Sequence, residues 1–351
     1  MFDKFDWKIF ITIILISAFG LINLLGIDQE IFKDQFINFM AGLVAMVFAY
    51  KFGLNFFRLN NKLFYWSIFV TLVFVYIFGE NIRGSKRWID LYFFSYQPSE
   101  FLKLFYIIYV AAFLTNMRDQ YDRCCLNFKT FIFSLFLFGL PIIIILKQPD
   151  LGSSLVYMGI YAGLLFMSGA SIKYFINGFL LVFISSPIIW HFLKDYQKNR
   201  ILSFINPNVD PSGIAYNSIQ SIITIGSGGF FGKGLGFGTQ SRLSFLPENH
   251  TDFVYASFIE QFGFLGGIIL SLLFAYLIYR LTVKALQYRS SDTFTYLFIM
   301  GVVLLFLTQF FINTGMNLGI LPVTGIPLPL ISYGGSSVVS IYMIIGLVLG
   351  L

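Results

Sequence analysis

Charge is scarce in this sequence. Asp, Glu, Lys and Arg make up 11% of its 351 residues, where soluble domains carry about 25%. Histidine is nearly missing, with only His191 and His250. Cysteine is as rare, and Cys124 and Cys125 stand side by side. An adjacent pair builds no disulfide framework, and so few histidines and cysteines give no zinc-ligand spacing. No low-complexity tract, internal repeat or polar appendage interrupts the chain. There is no nucleophile-elbow motif. With charge this thin and spread between apolar runs, the net charge of +6 is no argument for nucleic acid. It reports orientation in a membrane.

Apolar residues are what the chain has in abundance: 57% hydrophobic and 20% aromatic, with a mean hydropathy of +0.79. This composition predicts an all-α integral membrane protein, because lipid leaves backbone groups no partner outside their own helix. Spanning the hydrocarbon core takes roughly 20 apolar residues. That ruler marks about ten segments, near 8–27, 33–53, 62–79, 98–116, 129–147, 151–168, 172–192, 253–281, 293–314 and 333–351. The first run, Ile9 to Leu25, is long enough to remain as a span rather than a cleaved signal. The whole chain, 1–351, reads as a single membrane domain.

Lys and Arg orient the bundle. With the N-terminus inside, 12 fall on cytoplasmic loops (Lys4, Lys8, Lys51, Arg58, Lys62, Arg118, Arg123, Lys129, Lys173, Arg280, Lys284 and Arg289) and 5 on the opposite short loops (Lys33, Arg83, Lys86, Arg87 and Lys147). The long loop adds Lys194, Lys198, Arg200, Lys233 and Arg242 outside, but long loops weigh less in this rule. Both termini are therefore expected in the cytoplasm. Three sizeable outer loops follow, near 80–97, 193–252 and 315–332. The last carries Pro322, Pro327 and Pro329. Prolines at that density forbid a helix, so an apolar, re-entrant loop packed on protein is expected.

Polar residues in this apolar frame are the candidates for chemistry. Glu100 and Lys103 stand three apart in the fourth span, on one helix face; a buried ion pair and a direct part in the reaction both fit. Glu260 follows Asp252 by two turns, about 12 Å along the eighth span. Gln309, Asn313 and Asn317 recur every four residues, either as interhelical glue or as a cavity wall. Between Gly226 and Glu260 runs GSGGFFGKGLGFGTQSRLSFLPENHTDFVYASFIE, with Lys233, Arg242, Glu248, His250 and Asp252. Gly232-Lys233 is no nucleotide loop: Ser227 stands where the first glycine of that motif belongs, and Gly234 follows the lysine. The glycines fit either a backbone cradle for an anion or a connector on the membrane surface. Thr251 or Asp252 is the natural N-cap of the eighth span. Asp252 also fits a general base or a cation ligand at a membrane–water boundary.

Seven blocks in order carry a resemblance: RGSKRW at 83–88, QPSEFLK at 97–103, QPDLGSS at 148–154, SFINPNVDPSGIAYNSIQS at 203–221, GSGGFFGKGLGFGTQ at 226–240, LPENHTDFVYA at 246–256 and NTGMNLGILPVTGIPLPLISYGGSS at 313–337. Together they resemble the SEDS family (shape, elongation, division, sporulation), and its elongation members more than its division members. Glu260-Gln261 departs from the family pattern, which touches helix packing more than the reaction. The resemblance implies a peptidoglycan glycosyltransferase that polymerises lipid II during elongation and shape maintenance. It implies a class B penicillin-binding protein and the elongation machinery as partners, and an extracytoplasmic active face. It makes Asp252 the catalytic acid. Arg83, Lys86, Arg87, Lys233 and Arg242 are then candidates to hold pyrophosphate, while Glu100, Lys103, Glu248, His250, Gln309 and Asn313 are candidates to bind substrate or shape the cavity. A divalent cation, Mg²⁺ or Mn²⁺, ligated by Asp252, is the other source of charge for the leaving group. A lipid II flippase and a non-catalytic scaffold stay open beside the enzyme.

Overall fold

A computed structural model describes residues 5–79, 85–90, 95–121, 128–193, 195–206 and 214–351. The helices are α1 (Trp7–Ile27), α2 (Gln29–Leu59), α3 (Asn61–Phe78), α4 (Pro98–Tyr121), α5 (Phe128–Lys147), α6 (Leu151–Met167), α7 (Ile172–Phe192), α8 (Asp195–Ile205), α9 (Ile214–Gly228), α10 (Thr239–Arg242), α11 (Val254–Gln287), α12 (Thr293–Asn317) and α13 (Gly335–Leu349). A short antiparallel pair, β1 (Ile89–Asp90) and β2 (Ser95–Tyr96), precedes α4. The bundle is all-α, as expected, and each of the apolar segments marked in the sequence is a helix. Seven are long and apolar enough to cross a membrane, while α6, α13 and the apolar part of α7 are shorter. The region 193–252 is not one loop, since it holds α8, α9 and α10.

The scarce acids start the helices. Asp6, Asp28, Asp150 and Asp292 accept first-turn N–H groups of α1, α2, α6 and α12, which satisfies donors that lipid cannot. The interior is aromatic: Tyr65, Tyr106, Phe138 and Tyr157 are fully buried at the meeting of α3 to α6. Phe179, Leu181, Phe183 and Ile184 on α7 face outward instead, a surface suited to lipid.

Contacts sort the bundle into two ends. At one, Arg280 pairs with Asp6 at 3.0 Å, Arg58 with Asp292 at 3.5 Å, and the Tyr288 hydroxyl donates to Leu351 O at 2.7 Å. The start of α1 and the end of α13 therefore lie on the same side. The loops lie at the other. Ser336 Oγ donates to Ser95 O at 2.7 Å, and Gln35 Nε2 donates to Ser332 O at 3.1 Å. Residues 322–328 have no regular structure, yet Thr324, Ile326, Leu328 and Leu330 are buried. That is the irregular, protein-packed loop the prolines predict.

Candidate active site

The segment named α11 is two helices. Gly263 has φ +74° and ψ −179°, and the side chains on either side of it fold together. The Tyr255 hydroxyl lies 3.3 Å from Ser271 Oγ, and a Cβ on Gly267 would meet Ile259 at 3.0 Å. In a straight helix Tyr255 and Ser271 would stand about 24 Å apart. Residues 254–262 therefore form a half-helix that reverses at Gly263 and packs back on the long leg.

A helix broken inside an apolar bundle must find partners for its cut backbone. The glycine-rich run supplies them. Lys233 N donates to Glu260 O at 2.9 Å and Gly234 N to Gln261 O at 3.0 Å; on the far side of the break, Phe264 N donates to Gly229 O at 2.9 Å and Leu265 N to Phe230 O at 3.1 Å. The approach is so close that a Cβ on Gly263 would come within 2.3 Å of Gly232 N, and one on Gly232 within 2.2 Å of Gln261 O. Both glycines also have positive φ. The run is thus no loose connector: the N–H groups of Lys233 and Gly234, which could have faced an anion, are spent on the break, and that of Gly236 on Gln261.

The reversal turns the expected geometry over. Gln261, late in the half-helix, lies at the C-terminal end of α1, where its Oε1 accepts from Gly236 N at 3.0 Å and crowds Gly26. Earlier along the half-helix, Ser257 accepts from Asn23 Nδ2 at 3.1 Å, and Phe258 meets Phe19 edge-on. Glu260 therefore lies toward the loop end of the bundle. Asp252, ahead of the start of the half-helix, lies farther in than Glu260, at the floor of the site rather than its rim.

That floor is built from three pieces. Asp252 is half-buried, and a Cβ on Gly325 would come 3.4 Å from its Oδ2, so the proline-rich loop walls the carboxylate. The second piece is the preceding turn: Phe253 N and Thr251 N both donate to Glu248 O, at 3.0 and 3.2 Å, and the Thr251 hydroxyl donates to Glu248 Oε2 at 2.9 Å. This turn is sewn to the loop by Ser332 Oγ donating to Thr251 O at 2.6 Å and Tyr333 N donating to His250 O at 2.8 Å. Burial, helped by the charge of Asp34, raises the Tyr333 phenol pKa, so the hydroxyl beside the His250 ring stays protonated. The third piece is α12, whose Asn313 and Asn317 reach Asp252 O at 2.9 and 3.1 Å.

One expectation fails here. The N-cap of α11 is Phe253, with no side-chain cap bond, not Thr251 or Asp252. The reason is tertiary: Asn317 Oδ1 accepts from Ala256 N at 3.0 Å, doing from α12 what a local cap does from within.

The basic candidates hold protein partners. Arg87 donates through Nε to Gln148 O at 2.9 Å, binds Pro149 O, and stands 3.7 Å from Asp150. Lys233 Nζ binds Glu260 Oε1 at 3.0 Å and Thr239 Oγ1 at 2.9 Å. Glu260, at 0% exposure, also accepts from Ser241 Oγ at 2.6 Å, Ser241 N at 2.9 Å and Gln240 N at 2.9 Å. Arg242 is exposed and donates to Gly236 O at 3.1 Å; Lys86 is exposed and donates to Ile77 O at 3.2 Å. Arg83 lies outside the described residues, as do Cys124 and Cys125. Glu100 and Lys103 make the ion pair their spacing predicts, at 2.6 Å and fully buried. Among the described residues, Glu100 Oε2 and both amide atoms of the buried Gln309 find no hydrogen-bond partner.

Among the described residues no three His, Cys, Asp or Glu side chains group to hold a metal. A single carboxylate suits Mg²⁺ only when substrate phosphates complete its coordination. Asp252 fits such a shared ion, not a resident one.

This arrangement has known counterparts. A family model described as "Cell cycle protein", FtsW/RodA/SpoVE, matches residues 5–351. The chain belongs to this family. Within it, the chain is 36% identical over 345 residues to the peptidoglycan glycosyltransferase MrdB of Escherichia coli K12, covering 98% of this chain and 91% of that protein. It is 33% identical over 347 residues to MrdB of Helicobacter pylori, covering 98% and 88%. A chain from a solved peptidoglycan synthase complex, studied for its coordination of polymerization and crosslinking, superposes with a TM-score of 0.84 at 28% identity, covering 98% of this chain and 96% of that one. The rod shape determining protein RodA of Thermus thermophilus superposes with a TM-score of 0.72 at 25% identity, covering 99% and 96%.

The sequence of this FtsW/RodA/SpoVE chain marks Asn317 only as glue or cavity wall beside Gln309 and Asn313, and it marks neither Gly325 nor Ser332 as a site residue. Each is joined to Asp252 or its turn by a fold-back that leaves no local pattern. The one available signal was the four-residue rhythm from Gln309 to Asn317.

Proposed function

We propose that this chain is a peptidoglycan glycosyltransferase of cell elongation that polymerises lipid II at the outer face of the cytoplasmic membrane, with Asp252 as general base. One observation carries the reading: the α11 helix is capped by Asn317 from α12, while the Asp252 carboxylate is turned to the wall at Gly325. Capping, the structural alternative for this acid, is done by another residue.

In the reaction, an Asp252 oxygen accepts the proton of a sugar 4-hydroxyl. The sugar's 4-oxygen, freed of its proton, attacks the anomeric carbon of a second lipid-linked sugar through an oxocarbenium-like transition state. A C–O bond forms, the bond to phosphate breaks, and the undecaprenyl pyrophosphate leaves with the electron pair. A single displacement inverts the anomeric carbon. A divalent cation brought with the pyrophosphate would neutralise the charge it carries away. Among the described candidates, Lys86 and Arg242 are exposed with one carbonyl bond each, so these two can turn to a leaving phosphate. Arg87 and Lys233 hold the site's frame instead. The crosslinking partner is a class B penicillin-binding protein; the superposition on a chain of a polymerising and crosslinking complex supports this.

Asp252→Ala, purified with its partner, should fold and bind lipid II yet make no glycan polymer. Polymer at the wild-type rate would remove the base assignment, and lipid flipping without polymer by the wild type would favour a transporter.

A further inference from the structure

Two buried amides on α12 hold the backbone carbonyl of Asp252. Asn313 and Asn317 are fully buried on one face of α12. One Asn313 amide group donates to Asp252 O at 2.9 Å and to Ile326 O at 2.7 Å. Ile326 follows Gly325, the residue beside the Asp252 carboxylate, so this amide sets the width between the acid and its wall. Asn317 donates to the same Asp252 carbonyl at 3.1 Å and accepts from Ala256 N at 3.0 Å.

We propose that Asn313 and Asn317 are positioning residues for polymerisation, which cap the half-helix from outside and so keep the Asp252 carboxylate out of the capping role. The inference rests on the reading of Asp252 as base. An Asp one residue ahead of an uncapped helix start is drawn to the orphan N–H groups of the first turn. Asn317 satisfies one of them first. Asn313 then fixes where the Asp252 peptide stands relative to the loop. A shift of about 1 Å in a reacting group costs on the order of 100-fold in rate, without any loss of substrate binding.

The test measures polymerisation of lipid II by the complex with its transpeptidase partner, together with the thermal unfolding midpoint. Asn313→Ala should lower kcat on the order of 100-fold and leave KM within about twofold. A merely structural role would shift the midpoint and leave kcat per folded molecule intact, which would overturn the proposal. If Asn313→Ala does not fold, the Asn317 pair decides. Asn317→Asp keeps an acceptor for Ala256 N and should be faster than Asn317→Ala; equal turnover overturns the proposal. Asp252→Asn separates the two ideas. If it is dead while Asn313→Ala turns over normally, the base stands and the positioning falls. If it polymerises at the wild-type rate, both fall.

Discussion

Glu260 is the fully buried acid that ties the glycine-rich run to the half-helix. Its two oxygens take three hydrogen bonds from Gln240 and Ser241 and one from Lys233. Removing one member of such a buried pair costs about 3–5 kcal/mol. Glu260→Ala also orphans the buried donors of Gln240 and Ser241 and should lower the unfolding midpoint strongly; Lys233→Met leaves the carboxylate held by those donors and should lower it less. Equal, small shifts in the two midpoints would show that the latch is not formed. Gln309 should behave in the opposite way. Its amide is buried with no partner among the described residues, a state that costs about 1–3 kcal/mol. Gln309→Leu is expected to hold or raise the midpoint; a clear drop would mean that water or another ligand satisfies the amide. The Glu100–Lys103 pair was readable from a spacing of three, because helical geometry alone brings those side chains together. The partners of Glu260 were not, because Ser241 and Lys233 reach it only across the break in α11.

The decisive element is the half-helix 254–262. Its reversal needs a residue that tolerates φ +74° and a neighbour whose backbone can pair with the cut ends. Gly263→Ala would meet both obstacles: left-handed backbone costs about 1–2 kcal/mol in an L residue, and the new Cβ would strike Gly232 N at 2.3 Å. Either misfolding or a sharply lowered midpoint is expected, read by thermal unfolding in detergent. A variant as stable as the wild type would mean the two backbones do not touch. The sequence shows an apolar run from Val254 onward in which Glu260 is the one charged residue before Arg280, and it reads as one long span. Glycine in such a run signals neither a kink nor close packing by itself. The partner that makes Gly263 a turn sits some thirty residues earlier, in a run that on its own suggested an anion site.

At the scale of the whole molecule, polar chemistry is gathered at one end and the chain termini at the other. The ion pairs of Arg280 and Arg58 mark the terminal end. The Asp252 floor, the proline-rich loop and the glycine-rich backing mark the loop end. With the N-terminus cytoplasmic, an impermeant maleimide added to intact cells should label Phe231→Cys, at a position 78% exposed in the glycine-rich run. Leu286→Cys, 50% exposed near the termini, should react only after permeabilisation. The reverse pattern would place the loop end inside and remove the extracytoplasmic site.

Hydropathy by itself determined that this is a helical membrane bundle and where its helices run, because lipid leaves the backbone no other option. Seven short motifs in order determined the family and picked out Asp252. Only the tertiary structure decided that Asp252 lies beneath Glu260 rather than above it, and that an asparagine on another helix caps its segment. Those facts depend on a chain reversal and on contacts between residues about 60 positions apart, such as Ala256 and Asn317, which no local spacing encodes.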